Sequence, residues 1–357
     1  MGSDAAGLAE GHFGRSARPP APFPSRGCAV RAPWMAALAV LALAACEVGS
    51  ARMPLPSVSA PGPAVEAAPP GTDTGGAAVE DSLTEFYAGV EGDLTASGRM
   101  RRETAPEDAP YTVDDVVRNF ERIALYDEYV DLNGRFVRSE TPAMLRRWAR
   151  PVRVGVMQGP SVPVDEAARD RANVAAFTRR LARLTGLDMI LSDGNDVNFL
   201  VLFMTSTERA AFADQVMRRY PEFAPAVMGA LRDTPIDTFC TAYAFGEPGQ
   251  PSAYSAVMVL IRAEHPPLTR LSCVQEEMAQ AMGLPNDSPE ARPSLFNDSL
   301  EFALLTEHDE ILLRMLYDPR LRPGMTAAEA RPILPAIARD AMAAQVRDRQ
   351  VATLTGG

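Results

Sequence analysis

Glu276 and Glu277 are adjacent carboxylates, and Gln280, Asn286 and Asp287 follow them closely. On an α-helix Glu276 and Gln280 share one face a turn apart. Gly283 falls where a helix reverses in a left-handed turn, which would bring Asn286 and Asp287 back toward the same spot. Such a cluster could hold a water, a hard cation or a cationic ligand. It could also do acid–base work: like-charge pairing and burial raise a carboxyl pKa toward working pH. Glu277 or Glu276 would then be the general base, with Gln280 donating to an oxyanion. Alternatively, a hard cation would lodge among Glu276, Asp287 and Asn286. The plain structural reading is an amphipathic helix with a solvated Glu276–Glu277–Gln280 face. Its core stripe would be Val274, Met278, Ala281 and Met282.

Positioning such a helix takes a sheet and packing helices. Thr112 caps a helix over 112–126, with Val113, Val116, Val117, Phe120, Ile123 and Ala124 at helical spacing. Trp148 is expected in the core, and 151–157 alternates as a strand. A long amphipathic helix over 165–185 buries Ala168, Ala172, Ala175, Ala176, Leu181 and Leu184 and stops at Gly186. Short strands at 189–191 and 198–204 precede a helix from Ser206 or Thr207 to Tyr220. Residues 241–245 and 254–262 pair as a hairpin; Thr269, Leu271 and Cys273 lead into the motif helix. Further helices are expected from Thr306 to Tyr317 and from Thr326 into the 340s. The fold class is α+β: a mixed twisted sheet, a long packing helix, a site helix and a helical C-terminal part.

Composition narrows the setting. The chain has 46 acidic and 35 basic residues, a net charge of −11, which argues against a nucleic-acid partner. Every one of those bases is arginine. The apolar run Trp34–Cys46 is too short to span a bilayer but suits a secretory signal, with Arg26 and Arg31 before it. Leu43-Ala44-Ala45-Cys46 is similar to a bacterial lipobox, so residues 1–46 are expected to be a signal peptide with Cys46 lipidated. Translation from near Val30 would give a more compact signal. Glu47 after the cysteine favours the outer membrane over the inner, the domain facing the periplasm. Residues 47–110, rich in Ala, Pro and Gly, are expected to be a disordered tether. That leaves a single domain over 111–349. Cys240 and Cys273, in an exported chain, are expected to form a disulfide.

Three blocks also carry a resemblance: Gln275–Asp287, then Ser294–Asp298, then Leu305–Pro319. Their order resembles the metzincin progression from zinc helix and Gly turn to a tight turn and a final helix ending in Leu316-Tyr317. More closely, 270–325 resembles a bacterial family known only as a domain of unknown function, number 2927. The resemblance implies a metzincin-like (zincin-like) domain in an exported, often lipidated protein. Glu276, Gln280 and Asn286 stand where the metzincin histidines would be, Glu277 keeps the general-base position, and the turn methionine is not matched at Leu295 or Phe296. A carboxylate and two amides are poor zinc ligands. Of the three histidines, His12 precedes Cys46, His265 precedes the helix, and His308 is expected at the surface. No zinc or other cofactor is therefore expected.

These readings favour a non-catalytic envelope module whose cleft, including Asn286, Asp287 and Asp298, binds a peptide, a cell-wall fragment or an envelope protein. A peptidase-like hydrolase using Glu277 or Glu276 with Gln280 is the alternative. Membrane contact is expected only through the lipid anchor. Arg320 and Arg322 are expected to clamp an anionic ligand or brace a turn, and Asp298 and Asp309 to cap the turn and the last helix.

Overall fold

The computed structural model describes residues 74–132, 136–220 and 224–355. Cys46, the signal and the first part of the expected tether lie outside them. In chain order the elements are α1 (Thr74–Ala96), α2 (Val113–Ala124), β1 (Tyr126–Asp131), β2 (Phe136–Pro142), β3 (Arg147–Trp148) and β4 (Val152–Gln158). Next come α3 (Val164–Thr185), β5 (Met189–Leu191), β6 (Phe199–Met204), α4 (Ser206–Arg219), α5 (Pro225–Arg232) and β7 (Cys240–Glu247). The chain continues with β8 (Gln250–Arg262), α6 (Pro267–Gln280), α7 (Glu307–Leu316), α8 (Ala327–Ala330) and α9 (Leu334–Thr355).

The fold is α+β. The main sheet runs β3-β8-β6-β4-β5 with parallel neighbours, and β7 pairs antiparallel with β8. Its central strands are apolar on both faces, as a parallel sheet covered on two sides requires. Along β6 the side chains alternate. Phe199, Val201 and Phe203 join α2, α3, α6, α7 and α9 in the large core. Leu200, Leu202 and Met204 face α4 and α5 in the smaller one. β8 does the same with Val257, Val259 and Ile261 on one face and Met258 and Leu260 on the other.

The position of α6 is fixed from several directions. Val274, Met278, Ala281 and Met282 are buried, as the apolar stripe predicts. The Cys240–Cys273 disulfide ties it to β7 with a Cα–Cα distance of 5.8 Å. Arg270, buried within α6, donates to Asp170 and Glu166 of α3 at 2.5 and 3.0 Å. At its C-terminal end, Trp148 Nε1 donates to the Ala281 carbonyl and Tyr317 Oη to that of Met282, satisfying acceptors the helix leaves open. Gly283 follows with φ +124°, where a Cβ would run into the Arg146 carbonyl oxygen. Glycine is required there by both torsion and space.

Three expectations need correction. The expected 47–110 tether contains α1, which buries Tyr87 against Phe239 and His265, and Met100 and Ala109 are also buried. Averaged composition hides the helical stripe Leu83, Tyr87, Val90 and Leu94. His308 is buried, not at the surface, because the first turn of α7 packs on α2, where it meets Asn119 at 3.1 Å and the Tyr111 ring. The motif helix starts at Pro267, so Thr269, Leu271 and Cys273 lie within it. The stretch between α2 and Trp148 adds the antiparallel hairpin β1–β2.

Candidate functional site

The site lies where α6, the segment after it, the turn at 294–298, the hairpin β1–β2 and edge strand β7 come together. α6 supplies Glu276 and Glu277; Glu276 is partly accessible and Glu277 is 6 % exposed. Neither carboxyl accepts a hydrogen bond from any described residue. Burial raises both pKa values well above the usual range, and the nearby Asp287 charge adds to it. A buried, unpaired carboxylate is costly, so these glutamates hold protons that an exposed glutamate would release.

The chain reversal at Gly283 delivers Asp287 as the spacing suggests. Gln280 Nε2 donates to Asp287 Oδ1 at 2.9 Å, so the two expected partners bond to each other. Asp287 is pushed up to about 7 by burial and by the charges of Glu128 and Asp298. Asn286 goes elsewhere. It is buried with its Nδ2 donating to the Arg122 carbonyl at 3.0 Å and its N–H to that of Ile123, closing the end of α2. It is not a cleft residue.

Asp298 enters from the turn Ser294–Asp298. That turn is held by Asp309, whose buried carboxylate accepts from Ser294 Oγ, the Leu295 and Thr306 N–H groups and Thr306 Oγ1. Asp309 thus caps α7 as expected. Asp298 faces the cleft instead, accepting from Arg138 at 2.6 Å. Arg320 pairs with Asp318 and Asp340. The turn after α7 is braced by Arg147, which donates to the carbonyls of Leu316, Asp318 and Leu321.

Sequence reasoning missed the hairpin's contribution. β1 brings Glu128 and Tyr129, and β2 brings Phe136 and Arg138. Arg138 pairs with both Glu128, at 3.2 Å, and Asp298. Burial pushes Tyr129 up to about 12, with the Glu128 charge adding to it. Tyr243 of β7 is likewise held up to about 12 by burial; it feels Glu277, and its ring lies 5.9 Å from that of Phe136. The available signal is Asn133-Gly134, a two-residue turn dipeptide between alternating runs.

One oxygen each from Glu128, Asp287 and Asp298 lies within 4.8 Å of the others. Five carboxyls therefore gather here. Among the described residues, Arg138 is the only cation in an ion pair with any of them.

Residues 114–336 match the family described as "Protein of unknown function (DUF2927)". The chain belongs to that family. No curated protein and no solved structure matches it. The family match spans every segment that builds the site and leaves α1 outside. No helix among the described residues is long and apolar enough to cross a membrane.

Proposed function

We propose that this chain is a non-catalytic binding module of the cell envelope, exported and lipid-anchored at Cys46 with its domain in the periplasm. Its acidic cleft receives positively charged groups of a peptide segment presented by an envelope partner. The observation that carries this reading is the crowding of acidic groups in the cleft: Glu128, Asp287 and Asp298 within reach of one another, two proton-holding glutamates beside them, and one paired arginine. Arg138, a guanidinium seated between Glu128 and Asp298, has the chemistry of the group such a site accepts. Beside the acidic floor the hairpin exposes Tyr129, Leu132, Phe136 and Val137, an apolar rim of the kind that covers partners.

The order of helix, Gly turn, tight turn and final helix supports reading the scaffold as metzincin-like, with its imidazole ligands exchanged for carboxylates and amides. Of the three positions matching those ligands, only Glu276 has its carboxyl in the field of the cluster. Gln280 is bonded to Asp287, and Asn286 is bonded to α2. A zinc-peptidase role finds no support in that arrangement.

The test is binding of an arginine-rich peptide to the purified chain, with its acidic counterpart as control. Binding should weaken steeply with salt and in Asp298→Asn. Equal affinity for both peptides would refute the reading. A hydrolase is the second reading, favoured by Asp287 sitting near neutral beside two proton-holding glutamates. It requires turnover that Glu277→Gln abolishes.

A further inference from the structure

We propose that Glu128, Asp287 and Asp298 hold one hard divalent cation of the calcium class, that the buried Glu277 lies in the field of that site, and that Arg138 is the internal counter-ion the metal displaces. This deepens the reading above and rests on the same acidic cleft being the binding site.

The geometry comes first. Oxygens around one calcium ion stand 2.3–2.6 Å from it, so opposing ligands are separated by about 5 Å at most. The three carboxylate oxygens lie within 4.8 Å of one another, so a single ion can touch all three. The donor chemistry is uniformly hard. Only oxygens are offered, while the two described histidines are committed elsewhere: His265 to the Phe239 carbonyl and His308 to Asn119. Such a set favours calcium or magnesium over zinc or copper.

The second observation is Glu277. Glu277, a residue 6 % exposed, has no described donor bonded to its carboxyl and feels the field of Asp287 and Glu128, so it lacks the partner that buried carboxylates find elsewhere in this molecule. Asp309 has four donors and Asp170 has a buried arginine. A cation among Glu128, Asp287 and Asp298 would offset the negative field those carboxyls impose on Glu277. The ligands come from three separate segments: strand β1, the segment after α6 and the turn at 294–298. Filling the site would pin the hairpin to the body of the domain.

Arg138 makes the proposal specific. Its guanidinium occupies the space between Glu128 and Asp298 at 3.2 and 2.6 Å, so metal and arginine compete for the same oxygens. Removing the arginine should therefore strengthen metal binding, an effect that diffuse attraction to an acidic surface would deliver only weakly.

The experiment uses the chelator-stripped full chain, titrated with calcium chloride by calorimetry and with terbium by luminescence sensitised through Tyr129 and Tyr243. One ion per chain is expected, with a dissociation constant of roughly 10⁻⁴ to 10⁻³ M. Asp287→Asn and the half-exposed Asp298→Asn should each weaken it by about tenfold or more. Arg138→Met should tighten it by a similar factor. No binding of calcium, magnesium or manganese at millimolar concentration overturns the inference, as does binding that these variants leave unchanged. An arginine-rich peptide titrated in the presence of chelator separates the two ideas. If the peptide binds and no metal does, the cation inference falls and the acidic-cleft reading stands. If neither binds, both fall. Asp298→Asn keeps the result interpretable should Asp287→Asn fail to fold.

Discussion

At the scale of single residues, the cleft trades stability for charge. Asp287, Glu276 and Glu277 all hold protons more tightly in the fold than in an open chain. Raised carboxyl pKa values favour the folded state at low pH, and that contribution is lost as pH climbs from the unfolded value through the folded one. For Asp287 the window runs from 3.8 to about 7, and for the two glutamates it extends further upward from their ordinary value. The groups facing these carboxyls are Glu128, Asp298, Arg138, Gln280, Tyr129 and Tyr243, and Arg138 carries the only positive charge. Carboxylates with lowered values, such as Asp115 at about 2, lose their contribution only below that window. Chelator-treated protein is therefore expected to melt several degrees lower at pH 8 than at pH 5, read by circular dichroism. Glu277→Gln should raise the melting temperature at pH 8 and leave it nearly unchanged at pH 5. A destabilised Glu277→Gln at pH 8 would contradict the assignment. Glu276, Glu277 and Asp287 are legible from helical spacing and one glycine. Glu128 and Arg138 are not, because the hairpin that carries them lies far along the chain from α6 and nothing in the spacing of the motif points to it.

At the scale of elements, each ligand depends on a support elsewhere in the fold. The turn bearing Asp298 hangs on the Asp309 carboxylate and its four donors. Asp309→Ala would strand those donors in the core, and a loss of about 3 kcal/mol is expected by urea denaturation. The same substitution should weaken any ligand that uses Asp298. The disulfide across 33 residues of sequence is expected to contribute about 3–4 kcal/mol, so a Cys240→Ser/Cys273→Ser pair should show that difference against the oxidised protein. Most strands and helices follow from periodicity and punctuation, such as the α3 stop at Gly186 and the β7–β8 pair, while the α4 cap is Thr205 and not the expected Ser206 or Thr207. The hairpin escapes because its own pattern is weak. β2 is exposed along most of its length, so it lacks the one-sided burial that makes a strand readable.

At the scale of the whole molecule, the domain starts earlier than composition suggests. α1 inserts Tyr87 beside Phe239 and His265, while Glu91 accepts from the N–H and hydroxyl of Thr269 at 2.8 and 2.7 Å. That carboxylate sits at the N-terminal turn of α6, where negative charge is favourable. A chain beginning at 111 should therefore be less stable than one beginning at 74, and Tyr87→Ala should cost about 3 kcal/mol. Equal melting temperatures for the two chains would show that α1 adds nothing. The contact of Gly283 with the Arg146 carbonyl has a mechanical meaning at this scale. The Arg146 guanidinium also pairs with Asp127, the neighbour of Glu128, so one residue touches both banks of the cleft at their base, by its main chain on one side and its side chain on the other. A guest is therefore expected to part the cleft where Arg138 bridges Glu128 and Asp298, and not at that fixed base.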